Sequence, residues 1–266
     1  AAERLSPRPR VVTVITDLVD VHASWAAGGV DAVVVPSPGG WDRCRRAGIP
    51  AGHCYDLGLP VDARFAQPPP DDAARATLRA RLGLSQERFT VLVCGGADGS
   101  GGIARRARAI AESELDVDLA VICGRNRRAR DSLRDLRSDG GRRVVVHGFV
   151  DNMAEWMRAA DVVATKAGPG TIAEALCCGV PLLLTSYLPG QEHGNVEWVV
   201  DTGAGRYVPR PRQLVDAIAE LVSPDSDALR RMRDVVQRIA RPDATTRIAA
   251  LIGAMATRDS GMAAGG

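Results

Sequence analysis

Short runs of Val, Ile and Leu alternate with stretches compatible with amphipathic helix over most of this 266-residue chain. Seven runs read as strands: 10–16, 31–36, 89–95, 117–124, 142–148, 161–165 and 180–185. Several are unbroken rather than alternating, the pattern of strands covered by helices on both faces. Helix-compatible segments at 102–114, 127–138, 151–159 and 169–178 lie between them, and 212–222, 225–240 and 243–257 follow. This alternation predicts an α/β protein with doubly wound parallel sheets.

The pattern breaks once, at "RFAQPPPDD" (64–72), where three prolines precede acidic residues suited to starting a helix. The break predicts an interdomain linker over 67–84. A partial first domain (1–66), with only two or three strands, precedes it, and a complete second domain (85–240) follows. Residues 241–266 read as a C-terminal helix and a disordered tail.

Composition narrows the possibilities. A hydrophobic content of 45% is enough to fill such cores, and a net charge of +2 removes the global electrostatic case for nucleic acid. Lys166 is the single lysine among 34 basic residues. The arginine clusters "GRNRRAR" and "RRMR" suit phosphates or an anionic membrane surface as well as an ordinary solvated face. Six cysteines without CxxC or zinc spacing predict a reduced, cytoplasmic chain. No apolar stretch approaches the roughly 18–20 residues of a membrane span, so membrane contact is expected to be peripheral, on the inner face. No convincing DxD is present, and neither a metal nor a cofactor is expected.

In an open parallel sheet, ligands bind beyond the carboxyl ends of the strands. After 89–94 comes "GGADGSGGI" (95–103), a glycine-rich entry into a helix around Gly99, Ser100 and Gly101. After 117–123 comes "GRNRRAR" (124–130), with Arg125 and Asn126 placed to donate to phosphate or base oxygens. After 142–147, "GFVDNM" (148–153) offers Phe149 and its flanking backbone to a planar base, or an Asp151 helix cap.

After 161–165, "KAGPGTIAEAL" (166–176) sets Pro169 in a first helical turn. Gly170 and Thr171 then lie at the positive helix end, with Glu174 on the same face. That arrangement suits a phosphate at the helix end, a vicinal diol at Glu174 and a point charge from Lys166. In "SYLPGQEHGNVEW" (186–198), Gln191, Glu192 and Asn195 open a helix able to read sugar hydroxyls. Each segment alone is compatible with an ordinary turn or helix start. Their convergence on one sheet edge points to a nucleotide-sugar.

"TDLVDVHASW", "ICGRN", "HGFVDNMAEWMRAAD", "TKAGPGTIAEAL" and "PGQEHGNVEWVV" together resemble the monogalactosyldiacylglycerol synthases of plants and bacteria. More distantly they resemble the N-acetylglucosaminyltransferase that forms lipid II. The resemblance runs over about residues 10–250 and is strongest in 120–205.

It implies the GT-B fold, two Rossmann-like domains, here with the first one truncated. It also implies inverting transfer of a hexose from a UDP-sugar to a lipid, diacylglycerol-like acceptor. By the same resemblance, Glu174 binds the ribose, and Gly170, Thr171 and residues 99–101 meet the diphosphate. Phe149, Arg125 and Asn126 lie near uracil, and Gln191, Glu192 and Asn195 read the sugar. Asp17 and His22 are the base candidates. The family's opening strand, glycine-rich loop and candidate catalytic His have no counterpart in 1–66, which implies a fragment or a partner chain that supplies them. Trp25 and Trp41 are candidates for contact with a membrane surface. Two alternatives stay open: a non-catalytic or partner-dependent UDP-sugar-binding subunit, and an enzyme resembling UDP-N-acetylglucosamine 2-epimerase.

Overall fold

The computed structural model describes residues 8–21, 25, 29–223 and 226–260. The chain divides into two compact units, one running to Ala63 and resuming at Arg241, the other Arg64–Ala240.

In the first unit, β1 (Val12–Val14), β2 (Ala32–Val35) and β3 (Cys54–Asp56) form a parallel sheet in that order. Helix α1 (Pro38–Arg46) follows β2. Pro38 stands at its first position, and the Ser37 hydroxyl accepts from Gly40 N at 3.1 Å. Ile15, Val33, Val35, Cys44, Ile49 and Cys54 form the core of this unit.

The second unit opens with α2 (Asp72–Arg81). It continues as β4 (Phe89–Cys94), α3 (Ile103–Ala111), β5 (Val117–Ile122), α4 (Arg127–Ser132), β6 (Val144–His147) and α5 (Met153–Ala159). The other half runs β7 (Val162–Lys166), α6 (Pro169–Cys177), β8 (Leu182–Ser186), α7 (His193–Thr202), β9 (Gly205–Tyr207), α8 (Pro211–Val222) and α9 (Asp227–Ile239). Its six strands are all parallel, in the order β6-β5-β4-β7-β8-β9. The order reverses between β4 and β7, which opens a crevice at their carboxyl ends. The unbroken hydrophobic runs have their physical reason here, since Val91–Val93, Leu119–Ile122 and Leu182–Leu184 are buried throughout. A last helix, α10 (Ala244–Ser260), returns to the first unit, where Thr245 Oγ1 accepts from Val61 N at 3.0 Å.

Besides α1, which the pattern did not show, three elements depart from the pattern reading. β3 and β9 have three residues each, too few to show a period. The segment expected to be a linker carries α2, which the structure joins to the second unit. Arg79 of α2, itself buried, donates to Ala159 O at 2.8 Å and to Asp161 Oδ2 at 2.6 Å. Asp161 also accepts from Arg233 at 2.7 Å and from Thr90 N at 2.8 Å, so one carboxylate ties α2, α9 and the starts of β4 and β7. Of the end expected to be disordered, "DSGMAAGG" (259–266), Asp259 and Ser260 belong to α10, and 261–266 lie outside the described residues. All six cysteines are buried thiols.

Candidate functional site

The crevice beyond β4 and β7 holds a cavity of about 590 Å³ within the second unit, in the size range of small-ligand sites. Its walls come from the loop after β4 (Gly95–Asp98), the loop after β6 (Phe149–Asp151), the start of α6 and the Arg64–Phe65 segment.

Helix α6 enters through Gly168, with no side chain capping its first turn. Pro169 has no N–H to leave unpaired, and Gly170 and Thr171 face the cavity. A Cβ added to Gly170 would meet no atom within 4 Å, so that end is open. Glu174, half-buried, lines the same cavity one turn further in. Positive helix end and inner carboxylate therefore stand in one pocket.

The glycine loop is folded tightly on itself. Ser100 N donates to Gly95 O at 3.2 Å, and Gly99 N to Gly96 O at 3.1 Å. Gly99 has φ +61°, and a Cβ there would sit 1.9 Å from Cys123 O. The structure moves the expected contact: Gly95, Gly96, Ala97 and Asp98 line the cavity, whereas Gly99, Ser100 and Gly101 do not. They turn instead toward Cys123, Gly95 and Ser186 respectively.

The "GRN" segment proves to be a clamp on that loop. Arg125 N donates to Ala97 O at 2.8 Å, and the Asn126 amide donates to Gly99 O at 2.9 Å. The Asn126 oxygen accepts from Ala129 N at 2.9 Å and caps α4. Both ends of that side chain are thus engaged within the protein, and the expected donation to a ligand gives way to a cap. The Arg125 guanidinium instead lies 5.4 Å from the ring centroid of Phe149, a cation–π pair. Phe149 is 60% exposed and forms a flat wall of the cavity.

Lys166 lines the cavity at a register shift between β7 and β8. Its Nζ lies 2.6 Å from Glu192 Oε1, and Glu192 Oε2 accepts from Leu188 N at 2.8 Å. The lone lysine is thus ion-paired, and Glu192 is only 5% exposed. Asn195 is fully buried and donates to Ala167 O at 2.9 Å, with its Oδ1 unpartnered. Gln191 is exposed and precedes the first residue of α7. Of the two base candidates, Asp17 is half-buried on the bend after β1, and His22 lies outside the described residues.

Arg64, Phe65, Asp98, Asp151 and Met153 also line the cavity, and Arg64 donates to Asp151 O at 2.7 Å. Arg64 and Phe65 sit beside the proline break, where no periodicity marks them as site residues. Cys94 forms part of the floor, its thiol pushed up to about 11 by burial. No group of His, Cys, Asp and Glu able to hold a metal occurs among the described residues.

Both the sequence and the fold have counterparts among known proteins. The glycosyltransferase family 28 C-terminal domain matches residues 90–248. A probable monogalactosyldiacylglycerol synthase 3 of Oryza sativa subsp. japonica is 38% identical over 247 residues, 90% of this chain and 48% of that protein. Monogalactosyldiacylglycerol synthase 1 of Arabidopsis thaliana is 37% identical over 243 residues, 89% of this chain and 45% of that protein. The chain therefore spans about half the length of the curated relatives it matches.

Among solved structures, MurG of Acinetobacter baumannii superposes with a TM-score of 0.66 at 19% identity, over 92% of this chain and 66% of that one. HepE of Anabaena, solved in complex with UDP and glucose, gives 0.60 at 17% identity, over 93% of this chain and 72% of that one. These likenesses establish the GT-B architecture, the fold to which the doubly wound sheet conforms. By a match that runs over most of the chain, from β4 into α10, the chain belongs to glycosyltransferase family 28 through that family's C-terminal domain.

Proposed function

We propose that this chain binds the donor of an inverting glycosyltransferase that moves a hexose from a UDP-sugar to a diacylglycerol-like hydroxyl acceptor. The observation that carries the reading is the uncapped amino end of α6 with Glu174 one turn behind it, both lining one cavity. The diphosphate sits at the N–H groups of Gly170 and Thr171 and against the Gly95–Asp98 backbone. Glu174 accepts from the ribose hydroxyls, and Phe149 covers the uracil. Lys166 and Glu192, held as a pair, face the hexose with Gln191, while Asn195 fixes the backbone behind them.

Transfer inverts the anomeric carbon. The acceptor oxygen attacks as the bond to the diphosphate breaks, and a base takes the hydroxyl proton, for which Asp17 and His22 are the candidates. Negative charge collects on the departing UDP, where oriented N–H groups and the helix end stabilise it. The names of the curated relatives support galactose and diacylglycerol as the first substrates to try. An anionic membrane surface suits a lipid acceptor, and no helix among the described residues is long and apolar enough to cross a membrane.

Calorimetry tests the donor site directly. Glu174→Ala should lose about 1–3 kcal/mol of UDP affinity, the scale for unpairing buried polar partners. Unchanged UDP binding in that variant removes Glu174 from the site.

A further inference from the structure

The side chains around the cavity pose an electrostatic problem for a diphosphate. Arg64 and Lys166 are cationic, but Asp98, Asp151 and Glu174 are acidic, and Lys166 is already ion-paired to Glu192. The lining alone does not favour a dianion.

Behind the glycine loop lies a charge that no role above uses. Arg106, in the first turn of α3, is only 4% exposed. Its Nη1 donates to Gly101 O, and its Nη2 donates to Thr185 O at 2.6 Å and Pro209 O at 3.2 Å. All three partners are main-chain carbonyls. Its Nε has no partner, and among the described residues no carboxylate forms an ion pair with it. Burial pulls its pKa down from the ordinary arginine value, and Arg105 adds repulsion. Buried charges are ordinarily paired, because an uncompensated one carries a large desolvation penalty. Here the penalty is retained at one place: under the loop whose Gly95–Asp98 segment walls the cavity, at the ends of β8 and β9.

We infer that Arg106 is a positioning residue whose guanidinium ties the glycine loop to β8 and the segment after β9, and whose unneutralised charge supplies the counter-field for the nucleotide diphosphate. The inference rests on the donor reading above. A field from behind the loop attracts the diphosphate without contact, and it leaves the uracil and ribose contacts untouched. In a low-dielectric surround such a charge is weakly screened.

The test is calorimetric titration of the full chain with UDP and, separately, with uridine, which lacks phosphate. Arg106→Gln keeps an amide donor group and removes the charge. It should weaken UDP by about tenfold or more and leave uridine within about threefold, while Arg106→Lys should keep UDP within about threefold of the parent. Equal UDP affinity in Arg106→Gln overturns the inference while the donor reading stands. Parallel loss of UDP and uridine overturns the field in favour of a purely structural role. If Arg106→Gln does not fold, Arg106→Lys decides: a preserved ratio of UDP to uridine affinity supports the charge, and a tenfold fall overturns it. A parent chain that binds neither ligand overturns the donor reading and the inference together.

Discussion

At the scale of single residues, the most consequential groups are those whose partners come from far along the chain. Asp161 is the clearest. Its carboxylate is 11% exposed and receives Arg79 at 2.6 Å, Arg233 at 2.7 Å and the Thr90 N–H at 2.8 Å. Removing its charge leaves three guanidinium groups short of their anion in a largely buried setting, those of Arg79, Arg233 and, at 3.6 Å, Arg75. Asp161→Asn should therefore destabilise the protein by about 3 kcal/mol in urea unfolding, the scale for breaking a buried pair. A loss below about 1 kcal/mol would mean that solvent replaces the lost partner. The same long-range pairing explains where residue-level reading of the site fell short. Asn126, Lys166, Glu192 and Asn195 were legible as polar groups at strand ends. Their engagement with Gly99, Ala129, each other, Leu188 and Ala167 depends on loops that meet only in the folded chain.

Among the elements, long unbroken runs announced themselves and short ones did not. β4, β5, β7 and β8 are five or six residues each, mostly buried, and their Val, Ile and Leu content is decisive. Helix α1 was hidden because Pro38, Gly39 and Gly40 mimic a turn, although Pro38 and the Ser37 cap make them a helix start. The start of α2 was legible in the acidic residues after the prolines, where Asp71 caps it by accepting from Ala74 N at 2.8 Å, but the prolines set its segment apart as a linker.

Two glycines of the site separate fold from binding. Gly99→Ala forces a methyl 1.9 Å from Cys123 O at φ +61°, so it should cost about 1–3 kcal/mol of stability and disorder the loop. Gly170→Ala meets open space in a helical turn. It should hold or raise stability by about 0.5 kcal/mol yet weaken UDP binding, because the methyl enters the phosphate position. Thermal melts paired with UDP titrations read both effects. A Gly170→Ala variant with full UDP affinity would contradict the placement of phosphate at α6.

At the scale of the whole molecule, the two units differ in how they are threaded. Arg64–Ala240 is continuous, while the other unit is assembled from two separate stretches, joined where Thr245 brackets Val61 and where Arg241 and Ala244 pack against Gly58. A Cβ on Gly58 would lie 2.7 Å from that of Arg241, so this contact is close. Deleting residues 241–266 should speed hydrogen exchange in β1–β3 and leave β4, β5, β7 and β8 protected as before. Equal loss in both sheets would show that the division into units does not hold energetically. The parallel fold class was readable from the strand–helix alternation. The family resemblance also implies that the final helix packs back on the first domain, which nothing in a helical period tells.

The split threading has a consequence for synthesis on the ribosome. The continuous unit can complete its contacts as soon as Ala240 has left the exit tunnel, but the earlier-made strands must wait for the final helix. Of the two units, the one whose strands are made earlier is therefore finished later, and during that interval β1–β3 are exposed to whatever else the nascent polypeptide encounters.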